Sequence, residues 1–513
     1  MDNSSQEEEN MEGASTKRPR AIDNVMESEE RSKRMRGAEP SNPEGGVDTD
    51  DEEHPASLQP RVRLGPECPY LDTINRQFLD FDFEKCCSVS LRPDNVYVCL
   101  VCGKYFQGRG KSTHAYTHAL EDGHHMFMKL DTGRVFCLPD NYEVVDRSLD
   151  DIRYVLNPTF SKDDVKKLDV NVTWARALDG TEYMPGLVGL NNMKNNDYAN
   201  VVIEILGRVT PVRDFFLIPD NYKHCKSDLV KRFGELLRKM WNTRNFKGQV
   251  SPHEFMQAVM KASNKKFTIE KQSDPVDFWV WFLNALHKDL TGGNIKSKSV
   301  ITKCFQGRLE VITYPRSLGR SAANSNAMDV DGPSDAEGTK STVPFLLIGL
   351  DLPPPPLFKD PQEKNIIPQV PIYTILRKFD GQSLNDDIKL GRRKFRLARL
   401  PKYLMLHMKR FTKNNFFVEK NPTIVNFPIK NLDLNAVIPV PLKKNGKNAN
   451  ARFDLVANVC HDGKANEGTY RVHVHRKVED AWYELQDLRV VEVLPQIVSL
   501  SETYMQIYEL RKD

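Results

Sequence analysis

No apolar run in the sequence approaches the roughly 18 residues that a membrane-spanning helix needs. Nor does the chain open with the basic-then-apolar pattern of a secretory signal; it begins Met1-Asp2-Asn3-Ser4-Ser5. No aromatic residue precedes Tyr70. Residues 1–62 are rich in Glu, Ser and Asp and bury too little apolar surface to offset their ordering entropy, so a disordered charged tail is expected. Cysteine is scarce outside one cluster. Of nine, six lie between Cys68 and Cys137, and Cys225, Cys304 and Cys460 are scattered. Clustered Cys and His without a signal read as a metal site in a reducing compartment, not as a disulfide framework.

What is present starts with charge. The formal net charge of the 513 residues is +3. Residues 1–60 carry seven Lys/Arg against 16 Asp/Glu, which makes them −9 and the remainder +12. The tail is therefore no simple nucleic-acid-binding arm, and a modest excess spread over the body says little about acidic partners. Two basic clusters interrupt the tail: Lys17-Arg18-Pro19-Arg20 and Arg31-Ser32-Lys33-Arg34-Met35-Arg36. On an exposed tail they suit an import signal, so a nuclear location is expected.

Residues 63–160 form a compact Cys/His module. Cys99-Leu100-Val101-Cys102-Gly103 is a knuckle: two thiols two residues apart, then a glycine that permits a tight turn. His114 and His118 are four apart and share a face on a helix. Cys99, Cys102, His118 and His124 together suit tetrahedral Zn2+, closed and hence structural. His114 and His125 compete for the imidazole places on spacing alone.

A linker is expected at 161–182, with a helical stretch from Ser161 to Leu168, and a larger domain over 183–513. Its helices are read at Phe233–Trp241, after Ser251 as an N-cap with Pro252 and Glu254, and at Asp277–His287, almost wholly apolar and so buried. His287 reads as a C-terminal helix charge. A disordered insertion is expected at about 315–342. Strands follow at Val343–Leu352, Arg396–Leu406, Phe453–Val459, Thr469–His475 and Trp482–Leu485. The basic run Gly391–Arg396 reads as a charged strand edge. Helices first and strands later give an α+β domain. At its head, the Gly/Asn-rich stretch from Gly186 to Asn200 feeds an apolar helix. Enzymes present nucleophiles this way, yet the residue in the presenting position is Asp197.

Two resemblances follow. The module is similar to the ubiquitin-binding (UBP-type) zinc finger of some deubiquitinases. The larger domain resembles the ubiquitin-specific protease catalytic domain, papain-like, with thumb, palm and fingers. The motifs are Gly186-Leu187 through Tyr198-Ala199-Asn200; Gln272-Ser273-Asp274-Pro275-Val276-Asp277-Phe278; Leu400-Pro401-Lys402-Tyr403-Leu404 with Lys409-Arg410-Phe411; and Gly468-Thr469-Tyr470 through Trp482-Tyr483-Glu484-Leu485-Gln486-Asp487. The resemblance selects His118 and His124 beside Cys99 and Cys102.

The departures matter as much. The family's nucleophilic Cys is Asp197 here, its basic His is Thr469, and its third member is Gln486. His473 and His475 share a strand face with Thr469, but His473 is about 13 Å along the strand, beyond the ~3 Å reach of a general base. Cys460 and His461 are adjacent and point to opposite faces. No catalytic residues are therefore expected, and Asp197 reads as a hydrogen-bonding or N-capping residue at the start of the Tyr198–Leu206 helix. Further metal sites of the family are degenerate at Cys68, at Cys87 with Ser90, at Gln107 and at Cys137, and no Cys-x-x-Cys pair follows Cys102, so one Zn2+ is expected. Arg109 fits the arginine that receives a ubiquitin tail, though Gly110 replaces the aromatic residue beside it. The combination resembles the inactive, spliceosomal branch of the family. This implies a non-catalytic interaction scaffold of the U4/U6.U5 tri-snRNP that meets snRNP proteins and touches RNA indirectly. The alternative is a residual deubiquitinase, or weak binding of ubiquitin or a ubiquitin-like protein.

Overall fold

The structure, a computed structural model, describes residues 68–170, 174–294, 296–314, 338–354, 367–387, 391–413, 418–439, 450–465 and 467–512. The expected disordered tail, with both basic clusters, lies outside the described residues.

The Cys/His module is a five-stranded antiparallel sheet: β1 (Val96–Cys99), β2 (Tyr105–Gln107), β3 (Met126–Lys129), β4 (Val135–Cys137) and β5 (Tyr142–Val144), in the order β2-β1-β3-β4-β5. Every residue of β1 is buried, because side chains alternate across the sheet and each face has its own core. Val96 and Val98 join Met126, Met128 and Ile152 on one face. Tyr97 and Cys99 join Phe106, Phe127 and Phe136 on the other. Helix α1 (His114–Glu121) supplies Ala115 and Ala119 to the second core, and α2 (Asp150–Leu156) supplies Ile152 and Leu156 to the first.

The segment read as a linker carries a short helix, α3 (Lys162–Lys167), closed by a reciprocal Ser161–Asp164 capping box. Val165, Ala175 and Ala177 enter the largest core of the molecule. That core belongs to a helical layer: α4 (Asp197–Arg208), α5 (Thr210–Leu217), α6 (Asp228–Met240), α7 (His253–Ala262), α8 (Pro275–Leu290) and α9 (Val300–Phe305). All twelve residues of α4 are buried, so it is the axis of the layer. In α6, Ser227 accepts a hydrogen bond from the Val230 amide, and Leu229, Val230, Phe233, Leu236, Leu237 and Met240 recur at helical spacing. Each such side chain contributes roughly 1.5–3 kcal/mol on full burial.

Two helix readings need correction. Ser251 does not cap α7: its amide donates to Asp82 at 2.9 Å, and Pro252 occupies the cap position. Helix α8 is not wholly buried, because Asp277, Val280, Asn284 and Lys288 form an exposed stripe at helical spacing. His287 does lie in its last turn, where it meets Ser299 at 2.9 Å.

Most of the remaining strands make two larger sheets, beside several two-stranded ones. One has the order β7-β6-β10-β9, from β6 (Gly307–Tyr314), β7 (Thr339–Phe345), β9 (Asn385–Asp387) and β10 (Gly391–Arg399). The other runs β8-β11-β16-β12-β13-β14-β15, from β8 (Ile348–Asp351), β11 (Tyr403–Lys409), β12 (Arg452–Lys464), β13 (Glu467–Arg476), β14 (Ala481–Gln486), β15 (Arg489–Val493) and β16 (Thr503–Leu510). Its two faces carry the two largest cores. The stretch Val343–Leu352 is therefore two strands in different sheets, and Arg396–Leu406 divides between β10 and β11 at Leu400-Pro401, where proline offers no amide to a ladder. The basic run on β10 is not an edge, since β6 and β9 pair with its two sides. Of the insertion expected at 315–342, Thr339–Thr342 belong to β7, and 315–337 lie outside the described residues.

Module and larger domain are interlocked. Phe246, from the turn after α6, is buried in the module's core. The buried Lys239 donates to the Phe81 carbonyl and the Asp82 carboxylate, both at 2.8 Å.

Candidate functional site

The Cys99–Cys102 knuckle closes because Gly103 adopts φ +75°, and a Cβ there would stand 2.1 Å from the Phe78 carbonyl oxygen. Cys99 ends β1; His118 sits in the last turn of α1; His124 follows the Gly123 turn. Cys102 Sγ lies 3.4 Å from His118 Nε2, and Cys99 Sγ 3.6 Å from His124 Nδ1. All four ligand atoms fall within 4.8 Å of one another. His118 turns its other nitrogen to Asp122 at 2.5 Å, the kind of partner that orients a ligand imidazole. The Cys102 thiol is held below its ordinary range, first by its hydrogen bond with Cys99 and then by the Lys104 amide and both imidazoles, against its burial. Two sulfurs and two nitrogens fit a tetrahedral ion such as zinc. His125 is used otherwise: it meets the Leu138 carbonyl at 2.7 Å and packs on Tyr70.

Other positions that the family uses for metal, at Cys68, Cys87, Ser90 and Gln107, are engaged by protein. Ser90 donates to Gln107 at 3.0 Å, Gln107 to Asp94 at 2.7 Å, and the Ser90 amide to Cys87 Sγ at 3.5 Å. Tyr142 donates to Cys68 at 3.2 Å. Arg109 lies 4.4 Å over the Phe136 ring and donates to Asn141 at 2.6 Å.

At the start of α4 the chain is held tightly. A Cβ on Gly186 would strike the Trp241 ring at 2.6 Å, and one on Gly189 the Leu488 backbone at 2.6 Å. The helix begins at Asp197, one residue earlier than expected, and its cap position is Asn196. Asp197 is thus no N-cap. One carboxylate oxygen accepts from Gln272 at 2.7 Å and from the Tyr470 amide at 2.9 Å; the other accepts from the Tyr198 amide at 2.9 Å. Burial pushes this carboxyl above the usual aspartate range, against those same hydrogen bonds. Asp197 is 2% exposed, and the cavity beside it is about 10 Å³, room for one water at most. The loop of Met193, Lys194 and Asn195 ties down the approach: the Asn195 amide donates to Ile269 at 2.9 Å and its side chain to Glu270 at 2.8 Å. Thr469 and Gln486 meet each other, Gln486 donating to the Thr469 hydroxyl at 3.2 Å. Asp487 accepts from Asn192 and Asn200 at 3.1 and 3.2 Å.

Gln272 heads one of the quoted motifs without a role of its own, and it acts across the fold on Asp197 and Gly468; Asn196, also without a role in the sequence reading, acts locally, on Met193, Asn191 and Asn200. Also missed is a buried row in which Cys460 Sγ lies 3.7 Å from His473 Nδ1, and His473 Nε2 lies 3.1 Å from Glu484. His473 stands opposite Asn458 and Glu484 in the ladders, so Cys460 reaches it diagonally. Only the strand register reveals that. Cys460 and His473 are fully buried, so a substrate has no access to the pair.

A family model described as ubiquitin carboxyl-terminal hydrolase matches residues 188–508. A second, described as the Zn-finger in ubiquitin-hydrolases and other protein, matches residues 86–149. The human protein named Ubiquitin carboxyl-terminal hydrolase 39 is 51% identical over 460 residues, which span 88% of this chain and 81% of that protein. The chain belongs to the ubiquitin carboxyl-terminal hydrolase family. Another similar member of this hydrolase family is the Schizosaccharomyces pombe protein named Probable mRNA-splicing protein ubp10, 42% identical over 447 residues, 86% of this chain and 88% of that one. A solved structure described as an essential yeast splicing factor matches with a TM-score of 0.70 at 26% identity, covering 86% of this chain and all of that one. The ubiquitin carboxyl-terminal hydrolase domain thus keeps its fold here while a buried, fully engaged aspartate stands at the head of its central helix.

Proposed function

We propose that this chain is a non-catalytic interaction scaffold of the spliceosome, a nuclear tri-snRNP component needed for assembly and pre-mRNA splicing. The observation that carries the non-catalytic part is Asp197: buried, bound by Gln272 and the Tyr470 amide, and beside a cavity too small for a peptide bond. A carboxylate is a poor nucleophile toward amides, and neither Thr469 nor Gln486 can take a proton at neutral pH. The splicing part is supported by two similar proteins whose descriptions are those of splicing factors. The zinc finger holds one structural Zn2+ through Cys99, Cys102, His118 and His124. Its partners are snRNP proteins, and RNA is met through them.

The test is depletion of the protein from nuclear extract, with add-back of the purified chain. Restored tri-snRNP assembly and splicing, with no cleavage of a ubiquitin fluorogenic substrate and no labelling by a ubiquitin electrophile probe, is the expected outcome. Probe labelling, or recovery of ubiquitin conjugates without snRNP proteins, overturns it in favour of a residual deubiquitinase or ubiquitin-binding protein.

A further inference from the structure

Away from the zinc knuckle, a second group of sulfurs collects on one face of the module's sheet. Met126 on β3, Cys137 on β4 and Tyr142 on β5 stand directly opposite one another in successive ladders. Such cross-strand partners share a face, with Cβ atoms about 4.5–5.5 Å apart. Cys68, which precedes the sheet, brings its sulfur to both outer members of this row. Its Sγ lies 3.7 Å from Met126 Sδ and 3.2 Å from the Tyr142 hydroxyl. A sulfur held between the two neighbours of Cys137 stands over Cys137 itself, and the two thiols are in hydrogen-bond contact. All four side chains pack in the same core. Among the described residues, the one His/Cys/Asp/Glu set close enough to hold a metal is that of the knuckle, so this thiol pair has no further ligand of those types.

The two thiols differ in access. Cys137 is fully buried, and burial pushes its thiol above the ordinary range. Cys68 is partly exposed and lies at the start of the module. Cys68 therefore meets an oxidant from solution first, and Cys137 stands where a resolving thiol belongs.

We propose that Cys68 and Cys137 form a thiol–disulfide exchange site, closed reversibly by a small disulfide of the glutathione class. The Cys68 thiol loses its proton and attacks one sulfur of oxidised glutathione. The departing glutathione takes up a proton, and a mixed disulfide remains on Cys68. Cys137 then attacks the Cys68 sulfur and gives its proton to the second departing glutathione. Two protein thiols are oxidised and one glutathione disulfide is reduced, so no other reactant is needed. In a reducing compartment the open pair is the resting state, and the bond forms as the oxidised fraction rises. The loop it closes, 68–137, contains all four knuckle ligands, so it limits how far the module opens when the metal leaves. The proposal is independent of the splicing role.

Incubation of the zinc-loaded full chain in glutathione buffers of rising oxidised fraction, followed by alkylation and mass mapping without reduction, tests it. The expected product is a peptide linking Cys68 to Cys137, lost again on return to reduced glutathione, with the zinc retained throughout. Cys137→Ser is expected to stop at the first step and accumulate glutathione on Cys68; Cys68→Ser is expected to leave Cys137 unmodified. Should Cys137→Ser fail to fold, the unaltered chain quenched with acid at early times is expected to show the same Cys68 adduct before the link appears. After chelation, amide exchange over β1–β3 should be at least about threefold slower in the closed form than in the open one. No Cys68–Cys137 link with the zinc retained, oxidation of Cys99 and Cys102 ahead of it, or a stable glutathione adduct on Cys68 of the unaltered chain overturns the proposal.

Discussion

The Tyr470 amide donates to the Asp197 carboxylate at 2.9 Å, joining two residues 273 positions apart. Through this bond and the Gln272 bridge to the Gly468 carbonyl at 2.8 Å, the place where the family holds a nucleophile fastens the helical layer to the sheet.

Asp197→Ala should therefore cost more than a lost surface cap. It leaves the Tyr470 amide buried and unpaired, a loss of about 1–3 kcal/mol. The urea midpoint should fall with an unchanged slope. Asp197→Cys should show no cleavage of a ubiquitin substrate, because Thr469 cannot accept the thiol proton; turnover by this single variant would contradict the reading of the site.

Removal of the metal should unfold the module selectively. Structural zinc supplies roughly 10–16 kcal/mol in comparable small sites. Elemental analysis should give one zinc per chain, lost in Cys102→Ser and His118→Ala but kept in His114→Ala and His125→Ala. Hydrogen exchange after chelation should rise first over β1–β3.

The Lys239–Asp82 contact, at 2.8 Å, is an ion pair between module and domain in which Lys239 is buried and Asp82 partly exposed. Lys239→Met takes the ammonium from Asp82, which keeps the Ser251 amide at 2.9 Å, and should cost about 1–3 kcal/mol. Limited proteolysis between module and larger domain should accelerate. A double variant with Asp82→Asn should recover part of the loss.

His473 gives a pH signature. Burial opposes its charge, but hydrogen bonds to Cys460 and Glu484 outweigh that and hold it up to about 9. A group raised above its unfolded value, about 6.5, stabilises the fold fully below that value. The contribution is then lost as pH rises through about 9. Thermal stability should decline across this window by about 1–3 kcal/mol, and His473→Gln should flatten the decline.

Sequence and structure agree where the physics is local. The Cys-x-x-Cys-Gly knuckle, the helical stretch after Ser161 and the spacing of α6 need only neighbours, and each is present. Disagreements begin where the determinant is distant. Ser251 yields its cap role because Asp82, far away in sequence, claims its amide. The stretch Val343–Leu352 reads as one strand because periodicity cannot show that Leu346-Leu347 passes between two sheets. At the candidate site the sequence marks Asp197, Thr469 and Gln486, but not the donor from Gln272 or the meeting of Cys460 with His473. Both depend on strand register and loop placement.

Phe246 carries a consequence for synthesis. The last strand and helix of the zinc module are complete at Leu156, but a residue of its core is Phe246, 90 positions later. At about 5–20 residues per second, a ribosome needs roughly 5–18 seconds to add that side chain. During this interval the nascent module has an open apolar seat, exposed to chaperones and to the wrong partners. The metal can close the knuckle early, but the module matures only when the chain that follows has delivered its plug.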